Sequence, residues 1–293
     1  VTGTIGQSST PDNMSGAATS STAKPFRNAP RQRFFEFKKD IPASWSIILG
    51  ISVWVLFFGV WEFAVWQQWA NEILLPGPTK VLSALYTMFA DNGFLNDVLI
   101  SVGRVMLSFA LACAVAIPLG ILMGTFRTVD AFFSPFVSAW RYLPAPSFIP
   151  LLLMWFGAGD MQKLSLLFIG VIWFLITLIV DHVKSVPADL ICTSVTLGGN
   201  RWQVLRTVVV PASMPNITVA MRQMLAVSWT YLVIAEITAA DAGIGAVMMR
   251  AKRFLHVDEI MAGILVIGVL GLLFDFLLRQ VHRFAFPYLE GRH

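Results

Sequence analysis

The side chains of this 293-residue sequence that carry reactive chemistry are sparse and do not gather. His182, His256, His282 and His293 are scattered, and Cys113 and Cys192 offer neither metal-ligand spacing nor a disulfide framework. Gly243-Ile244-Gly245 is not followed by the Gly-Lys-Ser/Thr that would hold nucleotide phosphates and magnesium. No nucleophile stands at a suitable spacing from a base. Catalytic residues, metal ligands and a nucleotide site are therefore not expected in this chain. What remains is a set of ionisable residues inside apolar runs: Arg104, Arg141, Arg222 and Glu236. Charges at membrane depth are costly and usually face the interior of a helix bundle or a solute path. Two readings stand for each. Arg104 and Glu236 line a path or form a structural ion pair, while Arg141 and Arg222 line a path or extend their heads to a membrane surface. Pro144, with Pro146 and Pro150, interrupts another apolar run. Broken backbone is tolerated at membrane depth only where protein or a water-filled cavity satisfies the freed groups. Ser228 and Thr230, beside Trp229 and Tyr231, offer hydroxyls either to a passing solute or to helix packing. Asp275 and Arg279, four apart, are expected to pair.

The solvent for such residues must be lipid, because the chain is 56% hydrophobic and 13% charged with a mean hydropathy of +0.70. A bilayer core about 30 Å thick takes roughly 20 apolar residues per helix. Long continuous apolar runs select helices over a closed barrel. The expected fold class is all-α integral membrane, with six transmembrane helices at about 45–66, 98–125, 132–156, 162–183, 213–238 and 259–281. An even number puts both termini on one side. Lys184, Arg201 and Arg206 in the 184–212 loop, with Arg279, Arg283 and Arg292 near the C-terminus, place that side in the cytoplasm.

On the opposite face, Leu75-Pro76-Gly77-Pro78 breaks the chain before Val81, Leu82, Leu85, Met88 and Phe89 recur at helical spacing, the pattern of a short interfacial helix. A second outward segment has a turn at Asp241–Gly245 and then a short basic amphipathic stretch containing Met248, Met249, Arg250, Lys252 and Arg253. Residues 1–40 are expected to be a disordered basic tail. They open in a small, polar run without apolar periodicity, and Arg27, Arg31, Arg33, Lys38 and Lys39 precede the first span. No apolar core of a secretory signal occurs before residue 41, so the first span is expected to be retained. The transmembrane domain is assigned to 41–285 and a C-terminal tail to 286–293. The basic run at 27–39 meets lipid headgroups and requires no nucleic acid.

The loop at 188–211 is polar and basic between apolar spans, and a short helix there suits docking in a groove of a cytoplasmic partner. Gly198 permits a sharp backbone change, and Pro211 suits the first turn of the next helix. Asn200, Arg201, Gln203 and Arg206 offer polar contacts. Cys192-Thr193-Ser194, three residues, Gly198, nine residues, then Val208-Val209-Val210-Pro211 closing the run resembles the cytoplasmic EAA loop of permease subunits of ATP-binding-cassette importers. The glycine, the spacing and the proline match, whereas Cys192-Thr193-Ser194 stands in place of Glu-Ala-Ala. Over roughly 45–285 the chain is similar to the nitrate, sulfonate, taurine and bicarbonate branch of these permeases. The strings that carry this are Leu74-Leu75-Pro76-Gly77-Pro78, Ser101-Val102-Gly103-Arg104-Val105, Ile117-Pro118-Leu119-Gly120-Ile121-Leu122-Met123-Gly124, Arg141-Tyr142-Leu143-Pro144-Ala145-Pro146, Trp155-Phe156-Gly157 and Ala235-Glu236-Ile237.

The resemblance implies a bacterial inner-membrane permease subunit that passes a small oxoanion, with a cytoplasmic coupling helix. It implies a permease homodimer, two ATPase subunits that hold ATP and magnesium, and an external solute-binding protein. Thr193, Ser194, Gly198, Asn200, Arg201, Arg206 and Pro211 become ATPase-coupling positions. Arg104, Arg141, Pro144, Ser228, Thr230 and Glu236 become candidates for the translocation pathway. The alternative is a secondary transporter or channel driven by ion gradients, which needs no docking loop.

Overall fold

A computed structural model of the protein describes residues 43–287 apart from 70, 72, 91, 92 and 240. The expected tail at 1–40 and most of that at 286–293 lie outside the described residues. The chain divides into two units, Val1–Ser52 and Val53–His293. Helix α1 (Ala43–Trp66) begins in the first, and the second carries the remaining helices. No strand occurs among the described residues.

Apolar composition makes α1 a span, and no residue of its apolar stretch is buried. Chain reversal at Leu75-Pro76 is fixed by the Trp61 indole, whose Nε1 donates to the Pro76 carbonyl at 3.2 Å. The short helix expected after it is α2 (Pro78–Ala90), started by a proline in its first position, where the missing amide hydrogen costs nothing. Helices α3 (Phe94–Thr125) and α6 (Asp160–Lys184) form the centre of the bundle. Their close approach comes from small residues: Ala112, Ala116 and Gly120 lie one helical turn apart and are buried on α3, with Gly124 continuing the row. A Cβ at Gly120 would sit 2.7 Å from Ile179 Cγ2, and one at Gly124 would sit 2.5 Å from Val183 Cβ. In lipid, where apolar contact alone gives no advantage, such rows let backbones pack tightly. Gly120→Val is therefore expected to destabilise the bundle by about 1–3 kcal/mol through overpacking, read as a lowered midpoint of thermal unfolding in detergent. Gly103→Ala, with nothing within 4 Å of the added carbon, is expected to leave that midpoint unchanged.

Five helical stretches are long and apolar enough to cross a membrane among the described residues. The run at 132–156, expected as one span, is divided between α4 (Arg127–Arg141) and α5 (Ile149–Phe156), with a 3-10 turn at Ala145–Phe148 between them. The physical cause is Pro144, extended at φ −65° and ψ 118°, which cannot donate into the preceding turn. The two pieces are held by stacking. Trp140 lies between Phe148 (5.6 Å) and Trp173 of α6 (5.3 Å).

Beyond α6 come α7 (Ala188–Thr196), α8 (Arg201–Val204) and α9 (Val210–Ala239), then α10 (Ile244–Arg253) and α11 (Val257–Ala285). Between α8 and α9 the helix is not interrupted but widened: Leu205–Val209 form a π turn, and the Val210 amide donates to the Leu205 carbonyl. Pro211 offers no amide hydrogen and its ring excludes a carbonyl four residues back, so the chain accommodates it by taking one residue more per turn. Gly170 receives the Tyr231 ring of α9, its added Cβ falling 2.6 Å from Cδ2, and this closes α6 on α9.

Candidate translocation and coupling sites

Four polar residues of α3 lie at helical intervals along an otherwise apolar helix: Asp97, Ser101, Arg104 and Ser108. Each bonds across to another element. Arg104 Nη1 donates to Glu236 Oε1 at 2.7 Å and to the Ala242 carbonyl at 2.8 Å, while Nε and Nη2 donate to Asp160 Oδ1 at 2.9 and 2.6 Å. Glu236, 1% exposed, also accepts from the Ser101 hydroxyl at 2.7 Å and the Gly245 amide at 2.8 Å. Asp97 accepts from the Gly243 amide at 2.6 Å, and Ser101 Oγ accepts from the Ile244 amide at 3.0 Å. Ser108 donates to the Leu164 carbonyl at 3.0 Å. Charge-assisted bonds of this kind are the strong ones. The structural ion pair between Arg104 and Glu236 is thus present, and both side chains are committed to tying α3, α6 and α9 to the turn before α10.

Gly243 and Gly245 belong to this knot. Gly243 has φ +112°, and a Cβ there would collide with Glu236 Oε1 and lie 2.8 Å from Arg104 Nη1. Gly243→Ala is expected to cost more than Gly93→Ala. Both positions have positive φ, worth about 1–2 kcal/mol to a residue with a side chain, but Gly93 faces open space. Thermal unfolding of the two variants measures the difference. From sequence alone Asp97, Ser101, Asp160 and Lys163 carry no assigned role, although Ser101 opens the string at 101–105. Lys163 is buried and donates to the Ala158 and Gly159 carbonyls at 2.9 and 3.3 Å, closing the turn between α5 and α6. The four-three-four spacing of polar residues on α3 is the signal that locates the first two.

Arg222 does not reach for a membrane surface: its Nε lies 2.8 Å from Asp275 Oδ1, and Asp275 also receives Arg279 at 3.0 Å, as expected of that pair. Ser228 is buried and donates to the Met224 carbonyl of its own helix at 3.0 Å, which favours packing over solute contact. Thr230 is exposed and lines an apolar groove of about 490 Å³ between α9 and α11 with Trp229, Ile264 and Gly268. Arg141 ends α4 directly before the break at Pro144, its guanidinium 5.5 Å from the centre of the Tyr142 ring. The structure therefore gathers Arg104 with Glu236 and brings Arg141 to Pro144, but does not unite all six residues in one site.

At the far end of α6 the 188–211 loop projects from the bundle. No residue of α7 is buried, and Leu190, Val195 and Leu197 are exposed, Leu197 at 83%. The chain reverses at Gly198, whose φ of +88° is left-handed. Asn200 then starts α8 with a reciprocal cap, its side chain accepting from the Trp202 and Gln203 amides while Gln203 Oε1 accepts from the Asn200 amide at 2.9 Å. Trp202 packs on Phe126 at 5.7 Å and anchors the loop to the start of α4. Thr193 donates to the Asp189 carbonyl at 2.7 Å, so its hydroxyl serves its own helix. Ser194 is half-buried under Gly199, while Arg201, Arg206 and Pro211 are exposed.

Residues 116–287, which contain this loop and the helices on either side of it, match the binding-protein-dependent transport system inner membrane component family. The chain belongs to that family. An ABC transporter permease protein of Methanocaldococcus jannaschii is 34% identical over 80% of this chain and 90% of its own length. The taurine transport system permease protein of Escherichia coli is 32% identical over 84% of this chain and 92% of its own. The bicarbonate transport system permease protein of Synechococcus elongatus is 27% identical, over 72% and 81%. Among solved structures, a chain of the MetNI methionine ABC transporter in an inward-facing conformation shares the fold at a TM-score of 0.57 and 19% identity, covering 64% of this chain and 94% of that one. This permease is thus a multi-pass membrane transport subunit. Its projecting loop retains the glycine and the proline but presents Cys192-Thr193-Ser194 on an exposed helix, with Cys192 free.

Proposed function

We propose that the chain is the membrane-spanning subunit of an ATP-driven importer for a small oxoanion, with taurine or another sulfonate, nitrate and bicarbonate as the substrate class. The relatives named for taurine and bicarbonate transport support the class. The observation that carries coupling is α7 with its following turn: a nine-residue helix with no buried residue, turned at Gly198 and anchored by the Asn200 cap and the Trp202–Phe126 contact. Exposed apolar residues on a braced protrusion suit a hydrophobic groove on a partner. In this reading Thr193, Ser194, Gly198, Asn200, Arg201, Arg206 and Pro211 form or shape the face that meets the ATPase subunits. Those subunits hold ATP and magnesium, and the permease holds neither.

The π turn before Pro211 joins the loop to α9 without a flexible joint, so movement of the loop is passed to the α9 helix as rotation or tilt. α4 and α5 together make a sixth crossing, which puts both termini in the cytoplasm and α2 and α10 on the outer face, toward an external solute-binding protein. A second copy of the chain completes the path. Arg141 and Pro144 belong to that path, whereas Arg104 and Glu236 hold the outer ends of the spans in register and Ser228 packs α9. Uptake of labelled taurine, nitrate and bicarbonate by vesicles carrying the permease with its ATPase and binding protein tests the reading. It requires ATP-dependent uptake of at least one of the three.

A further inference from the structure

Among the described residues, the cations set within the bundle of this permease are compensated in all but one case. Arg104 meets Glu236 and Asp160, Arg222 meets Asp275, and Lys184 meets Asp130 at 2.6 Å. Lys163 is capped by two carbonyls. Arg141 is different: half-buried, it has no carboxylate and no hydrogen-bond acceptor among the described residues, and its recorded contact is the face of Tyr142.

Its depth follows from the stacking around it. Trp140, the preceding residue, lies at 5.3 Å on Trp173, which stands thirteen residues after Asp160 and eleven before Lys184 on the 25-residue helix α6. At 1.5 Å per residue that is roughly 20 Å from one end and 17 Å from the other. The break between α4 and α5 therefore lies level with the middle of α6. A charge with no carboxylate partner at that level is a candidate functional residue by default.

The backbone around Arg141 narrows what it is for. Pro144, Pro146 and Pro150 remove three amide donors from the break, and the Ser147 amide is used by the Pro144 carbonyl at 2.9 Å. Hydrogen-bond donors at the break must then come chiefly from side chains. The Arg141 guanidinium, the exposed Tyr142 hydroxyl and the exposed Ser147 hydroxyl supply them, none with a partner among the described residues. Aromatic stacking of Phe148, Trp140 and Trp173 fixes the two helix ends against α6 and so sets the position of the break.

We propose that this break is the mid-membrane station at which the transported oxoanion is held, with Arg141 as its counter-charge. The planar guanidinium matches the paired oxygens of a sulfonate, nitrate or bicarbonate, which a lysine ammonium meets only as a point charge. The partial negative charge of the α4 C-terminus beside Arg141 lowers its net attraction, which favours release over trapping. The proposal rests on the importer reading above for the class of solute.

The test uses Arg141→Gln and Arg141→Lys in the assembled transporter, reading uptake of labelled taurine, nitrate and bicarbonate together with ATP hydrolysis. Arg141→Gln is expected to lower uptake of the transported anion at least about tenfold, the loss of a charge-assisted bond, while the ATPase still co-purifies and still hydrolyses ATP. Arg141→Lys is expected to fall between that variant and the parent. Unchanged uptake in Arg141→Gln overturns the station, as does a parallel loss of ATPase association in both variants, which would make Arg141 an assembly residue. Uptake driven by an ion gradient without ATP, yet lost in Arg141→Gln, would keep the station and remove the importer reading. Failure of the parent protein to move any of the three anions would overturn both.

Discussion

Glu236→Leu is expected to destabilise the bundle by about 3–5 kcal/mol, the cost typical of removing one partner from a buried ion pair. The carboxylate it removes accepts from Arg104, the Ser101 hydroxyl and the Gly245 amide, all within 2.8 Å. Arg104 would keep Asp160, but that carboxylate is largely exposed, its side chain at 66%, and is less able to offset a guanidinium that is itself 9% exposed. The amide of Gly245 and the hydroxyl of Ser101 would be left buried without this acceptor. Thermal unfolding of purified protein in detergent checks the result. The double variant Arg104→Met with Glu236→Leu is expected to recover a substantial part of the loss, because a buried pair replaced by apolar groups is frequently near neutral. A double variant destabilised by the sum of the Arg104→Met and Glu236→Leu losses would show that the two charges are not energetically coupled.

This knot also marks the limit of what is legible in the sequence. The helical class and the short helices at Pro78–Ala90 and Ile244–Arg253 follow from apolar periodicity and turn residues, which are local. Arg104 and Glu236 attract notice because charge within an apolar run is costly. Their partners do not, since Asp160, the Ala242 carbonyl and the Gly245 amide are distant in sequence from Arg104 and reach the pair only when α3, α6 and α9 pack. Arg222 pairs with Asp275 for the same reason, across two helices that sequence spacing does not relate. The division of the 132–156 run is written in Pro144 and Pro146, but their consequence, two helices stacked on Trp173 instead of one span, depends on tertiary contacts. The row of Ala112, Ala116, Gly120 and Gly124 is visible at helical spacing, and only the structure names Ile179 and Val183 as what it admits.

Gly198→Asp is expected to abolish most ATP-driven uptake, by about tenfold or more, which corresponds to ~1.4 kcal/mol or more of lost docking free energy. The site separates folding from coupling. A Cβ at Gly198 meets nothing within 4 Å, and aspartate tolerates left-handed backbone better than most residues, so the permease itself is expected to lose little stability. The added carboxylate instead stands on the projecting face, next to Leu197 at 83% exposure, where an apolar groove would have to desolvate it. Co-purification of the ATPase and ATP-dependent uptake measure the effect, and the unfolding midpoint of the isolated permease serves as the control. Normal uptake by Gly198→Asp would remove the 188–211 loop from the coupling role.

The central claim is that ATP hydrolysed by a partner drives anion movement through this chain. Its most direct test is uptake of labelled taurine, nitrate and bicarbonate into vesicles holding the complete transporter, with ATP present or absent and with ion gradients collapsed. ATP-dependent uptake of at least one anion that survives collapse of the gradients is the predicted result. Uptake indifferent to ATP that stops when the gradients collapse would contradict it and reduce the 188–211 loop to a connector between two spans.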